Sequence, residues 1–410
     1  LDNNEVKLKG VKFNVLDEKN NVLETIITND EGEAITSKYP VRDFEKLTLQ
    51  EVETKENYKL NNEKQTITLE ANQIKDITFK NEKKKGQIKV VKVDKDNNEV
   101  KLKDVEFKVY DEKGTVVDTL KTDENGEAIT KRLPIDQEYT IQETKTLEKY
   151  VLNETVQKVT LKQDEITNIQ FENEKIKGKI EIIKVSADDN KLTGEKAGTK
   201  LDGAVFNIYN ESDEIVDVIT IKEGIGTSKL LEKGKYFIQE ETSGSDNYLL
   251  NTEKYPIEIT EHLKTIPITI KNNSVDIGLD IDKNGVVQAQ PNDEIKYGFN
   301  SLKNTSNVSL DNFTWTDNLP YDYVRITKLF TGTYNEDLDY IVKYKTNKSE
   351  DYIEFGKYNT QKNNYIDFTS VSLEDDEFIT DFKVEFGTVK AGFEAIEKPF
   401  IFAKVLPTVQ

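Results

Sequence analysis

Cysteine and methionine are both absent from the 410 residues, and histidine occurs once, at His262. Without cysteine there is no disulfide, no thiolate nucleophile, no thioester and no cysteine-ligated zinc or iron–sulfur site. A single histidine leaves no multi-histidine metal cluster and no spare for a Ser–His–Asp triad. Long apolar runs are missing too. The longest, Phe400–Ala403, is far short of the ~18 residues a membrane helix needs. Positive charge is outweighed, with 57 Lys+Arg against 77 Asp+Glu and a formal net charge of −20. That balance argues against nucleic-acid and anionic-membrane partners, which reward clustered positive charge. A chain that does not open on methionine reads as an excised or processed piece, so a missing targeting segment or anchor says nothing of its location.

The sequence does hold enough apolar material for several small cores. Hydrophobic residues make up 35%, and 18 Tyr, 18 Phe and one Trp are spread through alternating runs. At ~150 residues per domain the length suggests about three domains, or four small ones.

Self-similarity is the strongest signal. "LDNNEVKLKGVKFNVLDEKNNVLETIITNDEGEA" opens the chain and "KDNNEVKLKDVEFKVYDEKGTVVDTLKTDENGEA" recurs from Lys95. A more distant copy, "GTKLDGAVFNIYNESDEIVDVITI", begins at Gly198. Later come "LTLQEVETKENYKL", "YTIQETKTLEKYVL" and "YFIQEETSGSDNYLL", and the copies close with "ITFKNEK", "IQFENEK" and "ITIKNNS". The expected units are 1–85, 86–177 and 178–273, followed by 274–410. Apolar residues alternate with polar ones, the period of a half-buried strand. Turns at Asp30–Gly32 and Glu124–Gly126 separate such runs. The fold class is therefore all-β, in tandem antiparallel β-sandwich domains: three small repeats, then one larger sandwich whose "DEIKYGF", "LDYIVKYKT" and "DFKVEFG" alternate in the same way.

Residues two apart share a strand face. In the second repeat Ile88, Val90 and Lys92 share one, as do Tyr139, Ile141 and Glu143, and Ile169, Phe171 and Asn173. One Lys, one Glu and one Asn thus finish otherwise apolar, inward rows. The third repeat does the same with Lys184, Glu240 and Asn272, and the first has Glu51 and Asn81. Thirty residues separate Glu51 from Asn81 and Glu143 from Asn173, and 32 separate Glu240 from Asn272. The first repeat's lysine-bearing strand is expected to lie before Leu1. Any one of these residues is more simply a strand-end charge reaching solvent. Three types recurring at matched positions favour chemistry instead. Burial lowers a lysine pKa and raises a glutamate pKa. A neutral amine is a nucleophile, and a protonated Glu can polarise the Asn carboxamide and shuttle protons as ammonia leaves. The product is a Lys–Asn isopeptide bond.

The repeats resemble the CnaB/SpaA-type β-sandwich domains of Gram-positive surface proteins and sortase-assembled pili. "GQIKVVKVDKD" and "GKIEIIKVSAD" resemble that family's first strand, "YTIQETKTLEKY" and "YFIQEETSGSDNY" its E-box, and "FENEK" and "IKNNS" its closing strand. The resemblance implies cross-links Lys92–Asn173 and Lys184–Asn272, with Glu143 and Glu240 catalytic. The first repeat departs from the pattern, because Lys7 and Lys9 align with Lys101 and Lys103 rather than with Lys92. Residues 274–410 more loosely resemble surface-protein domains with Pro291, Asp293, Ile295, Tyr297, Asn304, Asp317 and Leu319-Pro320. There Lys283 and Asp317 are candidate members of a further bond, although the last strand, "FIFAKVL", offers no Asn.

Other candidates carry less. Asp280–Pro291 imitates a calcium loop, but Pro291 stands where the bidentate Glu belongs, so a strand and turn are expected. "LPTVQ" at the end is not an LPxTG signal, and no pilin YPK motif is present. Trp315–Tyr323 is expected to pack in the core or under a loop. No cofactor is expected. The leading function is a structural stalk of a bacterial surface protein or adhesin, at the cell wall or cell surface, attached to peptidoglycan through a region outside this chain. The alternative is an adhesive module in which 274–410 binds host matrix or glycan. A multiple-turnover enzyme is disfavoured, because the triad consumes its own reactants.

Overall fold

The computed structural model describes residues 6–408. Among the described residues strands carry the fold, with one 3-10 turn at Phe368–Ser370. Among the described residues no helix is long and apolar enough to cross a membrane.

The second repeat shows how the pattern folds. Its opening strand, Lys85–Asp94, alternates as far as Lys92 and buries Ile88, Val90 and Lys92 completely. The closing strand, Ile166–Asn173, pairs with one edge of it and Glu127–Ile129 with the other. The facing sheet runs Val156–Thr160, Glu138–Lys145, Glu106–Tyr110, Val116–Lys121. Between the sheets lie Ile88, Val90, Phe107, Tyr139, Ile141 and Phe171. The third repeat is built alike, with opening strand Lys177–Ser186, closing strand Thr265–Asn272 and the facing sheet Ile215–Thr220, Val205–Tyr209, Gly234–Thr242, Lys254–Ile259.

One feature departs from the all-antiparallel expectation. The opening and closing strands of each complete repeat are parallel neighbours, with Lys92 opposite Phe171 and Asn173 opposite Asp94. Lys184 is likewise opposite Ile270, and Asn272 opposite Ser186. The chain enters and leaves the repeat in one direction, and parallel neighbours require such a long crossover. Here the crossover is the rest of the sandwich.

The first repeat has one described sheet, Val22–Ile27, Lys12–Leu16, Lys46–Glu53, Lys64–Thr68, over Phe13, Val15, Leu47 and Leu49. Residues 71–80 are not in a strand, although the homologous stretch of the second repeat is its closing strand. Ile35 and Ile74 are 81% and 82% exposed.

Residues beyond 278 form the expected larger sandwich. A five-stranded sheet, Leu279–Asn284, Glu294–Asn304, Phe400–Val405, Val324–Phe330, Tyr365–Asp367, faces a four-stranded one, Leu310–Asn318, Ile379–Val389, Asp339–Thr346, Ile353–Asn359. Trp315 is buried between them against Phe299 and Phe382, whereas Tyr321 and Tyr323 are exposed. The calcium-like segment opens as a strand, as its defective loop implied, and no metal-ligand cluster occurs among the described residues.

By contacts the chain divides into two units, residues 1–178 with 230–234 and 258–264, and residues 179–229 with 235–257 and 265–410. Within the first unit the linkers are bonded on both sides. Lys84 donates its N–H to Asn57 O and accepts from Ile135 N–H; Ile176 donates to Lys149 O and accepts from Lys233 N–H. Ion pairs Lys83–Asp136, Lys177–Asp96 and Lys175–Glu232, at 2.6–2.8 Å, reinforce these joints.

Candidate cross-linking site

Period-2 alternation aims Lys92 into the core from the opening strand, and Glu143 and Asn173 meet it there. Their relative exposures are 0%, 2% and 1%. Lys92 Nζ donates to Asn173 Oδ1 and lies 2.9 Å from Glu143 Oε2. Asn173 Nδ2 donates to Glu143 Oε1 at 2.6 Å and to Thr146 Oγ1 at 2.6 Å. The carboxylate therefore touches the amine with one oxygen and the carboxamide nitrogen with the other. In the third repeat Lys184 Nζ donates to Asn272 Oδ1 and sits 2.9 Å from Glu240 Oε1, and Asn272 Nδ2 donates to both Glu240 oxygens at 2.8 and 3.0 Å.

Burial is the main influence on both lysines. It pushes the Lys92 and Lys184 amines below the usual lysine pKa, and the neighbouring Glu143 or Glu240 opposes only part of that shift. The walls are aromatic. Phe107 stands opposite Glu143 and packs on Phe171 with ring centroids 5.0 Å apart; Phe206 stands opposite Glu240, 5.4 Å from Lys184 Nζ. Such walls keep water from the amine and favour its neutral, nucleophilic form.

Two backbone devices hold these side chains in place. Each glutamate sits at a register shift against its partner strand, at Glu51, Glu143 and Glu240 alike. A bulge there re-aims a side chain at a site. Each lysine is pinned through its own peptide groups. Lys92 N–H donates to Gly126 O at 2.7 Å, and Lys92 O accepts from Leu102 N–H at 3.0 Å. Gly126 has φ +68°, and a Cβ there would fall 2.5 Å from Lys92 O. Only glycine suits that position. Gly224, at φ +76°, likewise accepts from Lys184 N–H, at 2.9 Å.

The first repeat keeps half of the site. Asn81 Nδ2 donates to Glu51 Oε1 at 2.6 Å, as in the second repeat, and Glu51 Oε2, like Glu143 Oε2, is buried with no hydrogen-bond partner. In the second repeat the equivalent oxygen faces Lys92. In the larger sandwich Lys283 and Asp317 do meet, with Nζ 2.7 Å from both oxygens and 4.9 Å from the Tyr297 ring. Asn304 is buried but engaged elsewhere, accepting from Ser306 N–H and donating to Val308 O and Lys390 O. That pair is thus an ion pair without a carboxamide bonded to it.

Sequence reasoning missed one recurring residue, an asparagine at 61, 153 and 251. Each donates its N–H to the site glutamate, at 3.1, 3.3 and 2.7 Å. The signal was present as Tyr-x-Leu-Asn at 58–61, 150–153 and 248–251.

Comparison with known proteins places the repeats. The profile of the SpaA prealbumin-like fold domain matches residues 1–83, 86–175 and 178–274. The chain belongs to the SpaA prealbumin-like domain family. Relatives of this SpaA chain include the trypsin-resistant surface T6 protein of Streptococcus pyogenes serotype M6, 34% identical over 134 residues, which are 32% of this chain and 23% of that protein. Among solved structures, the Bacillus anthracis TIE protein is similar at 30% identity and TM-score 0.50, over 66% of this chain and 49% of that one. A streptococcal ancillary pilin aligns at 22% identity and TM-score 0.23, over 56% and 75%. The chain thus spans about a quarter of the T6 protein and half of the TIE protein.

Proposed function

We propose that this chain is a structural stalk segment of a Gram-positive cell-surface protein, locked in its second and third repeats by self-formed Lys–Asn isopeptide bonds. The observation that carries the reading is the fully buried Lys–Glu–Asn contact joining the first and last strands of both repeats. Lys92 Nζ, as the neutral amine, attacks Asn173 Cγ. Glu143, whose Oε1 accepts from Asn173 Nδ2 rather than donating to the carboxamide as the sequence reading expected, takes the proton released from Nζ with Oε2 and delivers it to Nδ2. The Nζ–Cγ bond forms, the Cγ–Nδ2 bond breaks, and ammonia leaves with both protons and electrons accounted for. Glu143 ends as it began, but Lys92 and Asn173 are consumed, so the chemistry runs once. The double-bonded linkers support the stalk reading, since they restrict motion between neighbouring repeats.

Trypsin tests the proposal, in keeping with a relative named for trypsin resistance. The chain offers 57 Lys and Arg residues. Cleavage is expected first in repeat 1, around exposed Ile35 and Ile74, leaving a resistant core that contains repeats 2 and 3. The Lys92→Ala/Lys184→Ala protein should be cut throughout that core. Equal digestion of the two proteins would count against the locks.

A further inference from the structure

We infer that Asn153 and Asn251 are positioning residues for bond formation. Each makes the same three hydrogen bonds in its repeat. The backbone N–H of Asn153 donates to Glu143 Oε1 at 3.3 Å, its Nδ2 donates to Glu172 O at 2.8 Å, and its Oδ1 accepts from Thr155 N–H at 3.0 Å. For Asn251 the partners are Glu240 Oε2 at 2.7 Å, Lys271 O at 3.0 Å and Glu253 N–H at 3.0 Å. Asn61 repeats all three, with Glu51 Oε1 at 3.1 Å, Lys80 O at 3.1 Å and Glu63 N–H at 2.9 Å.

The carbonyl that accepts from Nδ2 always belongs to the residue just before the reactive asparagine. One residue therefore ties the glutamate to the backbone that carries the carboxamide. Its own turn, closed by Oδ1, fixes the angle of both grips. The arrangement is present in the first repeat beside Glu51 and Asn81. In the third repeat a surface cleft lined by Asn251, Thr252, Lys271 and Asn272 opens at this point, which puts Asn251 between solvent and the buried carboxylate. Removing the side chain frees the closing strand just where Asn173 must meet the amine, and small misplacements of reacting groups cost large factors in rate.

This inference rests on the isopeptide reading, and the test separates the two. Wild-type, Asn153→Ala and Asn153→Asp chains are made in a short cell-free translation pulse, and intact mass is followed with time. Both variants should lose one ammonia at the wild-type rate, from repeat 3, and the other at least about tenfold more slowly. Asn153→Asp keeps the Oδ1 turn but lacks the Nδ2 donor, so slowing there assigns the effect to the grip on Glu172 O. Val159→Ala, a core truncation in the same sandwich, is the control for mere loosening and should leave the rate unchanged in folded protein. Unslowed loss in the Asn153 variants, or equal slowing in Val159→Ala, would overturn the positioning role. Wild-type chains that shed no ammonia would overturn the isopeptide reading itself.

Discussion

Lys92→Ala is expected to lower the melting temperature of the second repeat by on the order of 20 °C or more, given ~4–8 °C per kcal/mol for a domain of this size. The proposed bond would close a sequence separation of 81 residues. By analogy with a disulfide, such a loop restricts the unfolded chain by about 4–5 kcal/mol. Under load the contrast should be larger still. The opening and closing strands are parallel neighbours, so force entering at Lys85 should reach Lys92, cross the proposed bond and leave at Asn173. The residues between should then bear no tension. Single-molecule pulling should show the wild-type repeat inextensible and the Lys92→Ala repeat unfolding to its full length. The third repeat, with a separation of 88 residues, should respond to Lys184→Ala and ignore Lys92→Ala. Wild-type and variant proteins that melt and extend alike would remove the locking mechanism from the proposed stalk.

Glu143→Ala should leave Lys92 and Asn173 side by side and unjoined. The expected intact mass exceeds that of the wild-type protein, corrected for the substitution, by one ammonia. Glu240→Ala should do the same through the other repeat, and the double variant should retain both ammonia molecules. The reaction should also depend on pH in one direction. Burial holds the Lys92 and Lys184 amines below the usual lysine pKa. The attacking form is the neutral amine, so its fraction grows as pH rises through that lowered value and saturates above it. In freshly translated wild-type chains ammonia loss should be slow in acid and reach a plateau below the pH at which an exposed lysine would titrate. A rate that falls with rising pH, or a Glu143→Ala protein that still loses both ammonia molecules, would contradict the assigned roles.

Much of this was legible in the residues because alternation reports a strand face directly. Lys92, Glu143 and Asn173 end apolar rows, and all three are buried where those rows lead. Face, however, is not partner. Nothing in the period of two distinguishes a parallel from an antiparallel neighbour, and the pairing of Lys85–Asp94 with Ile166–Asn173 is parallel. The bulge beside each glutamate is a relation between two strands, so neither strand shows it alone. Gly126 read as a turn glycine, but its carbonyl also anchors Lys92 N–H. Asn153 was hidden differently, since much of its grip passes through backbone groups that carry no residue identity. Comparing the three repeats one residue beyond Tyr-x-Leu would have found it. In the larger sandwich the motif brought Lys283 to Asp317, yet Asn304 was spent on holding loops, which single-residue matching does not foresee.

Peptide mapping of the native chain tests the central claim most directly. After denaturation and exhaustive trypsin digestion, tandem mass spectrometry should find one branched species in which the segment carrying Lys92 is joined to the segment carrying Asn173, one ammonia lighter than their sum. Trypsin should fail to cut after Lys92, whose amine is then an amide, and a second branched species should join Lys184 to Asn272. Two separate linear peptides, with cleavage after Lys92 and an intact Asn173 carboxamide, would contradict the proposal.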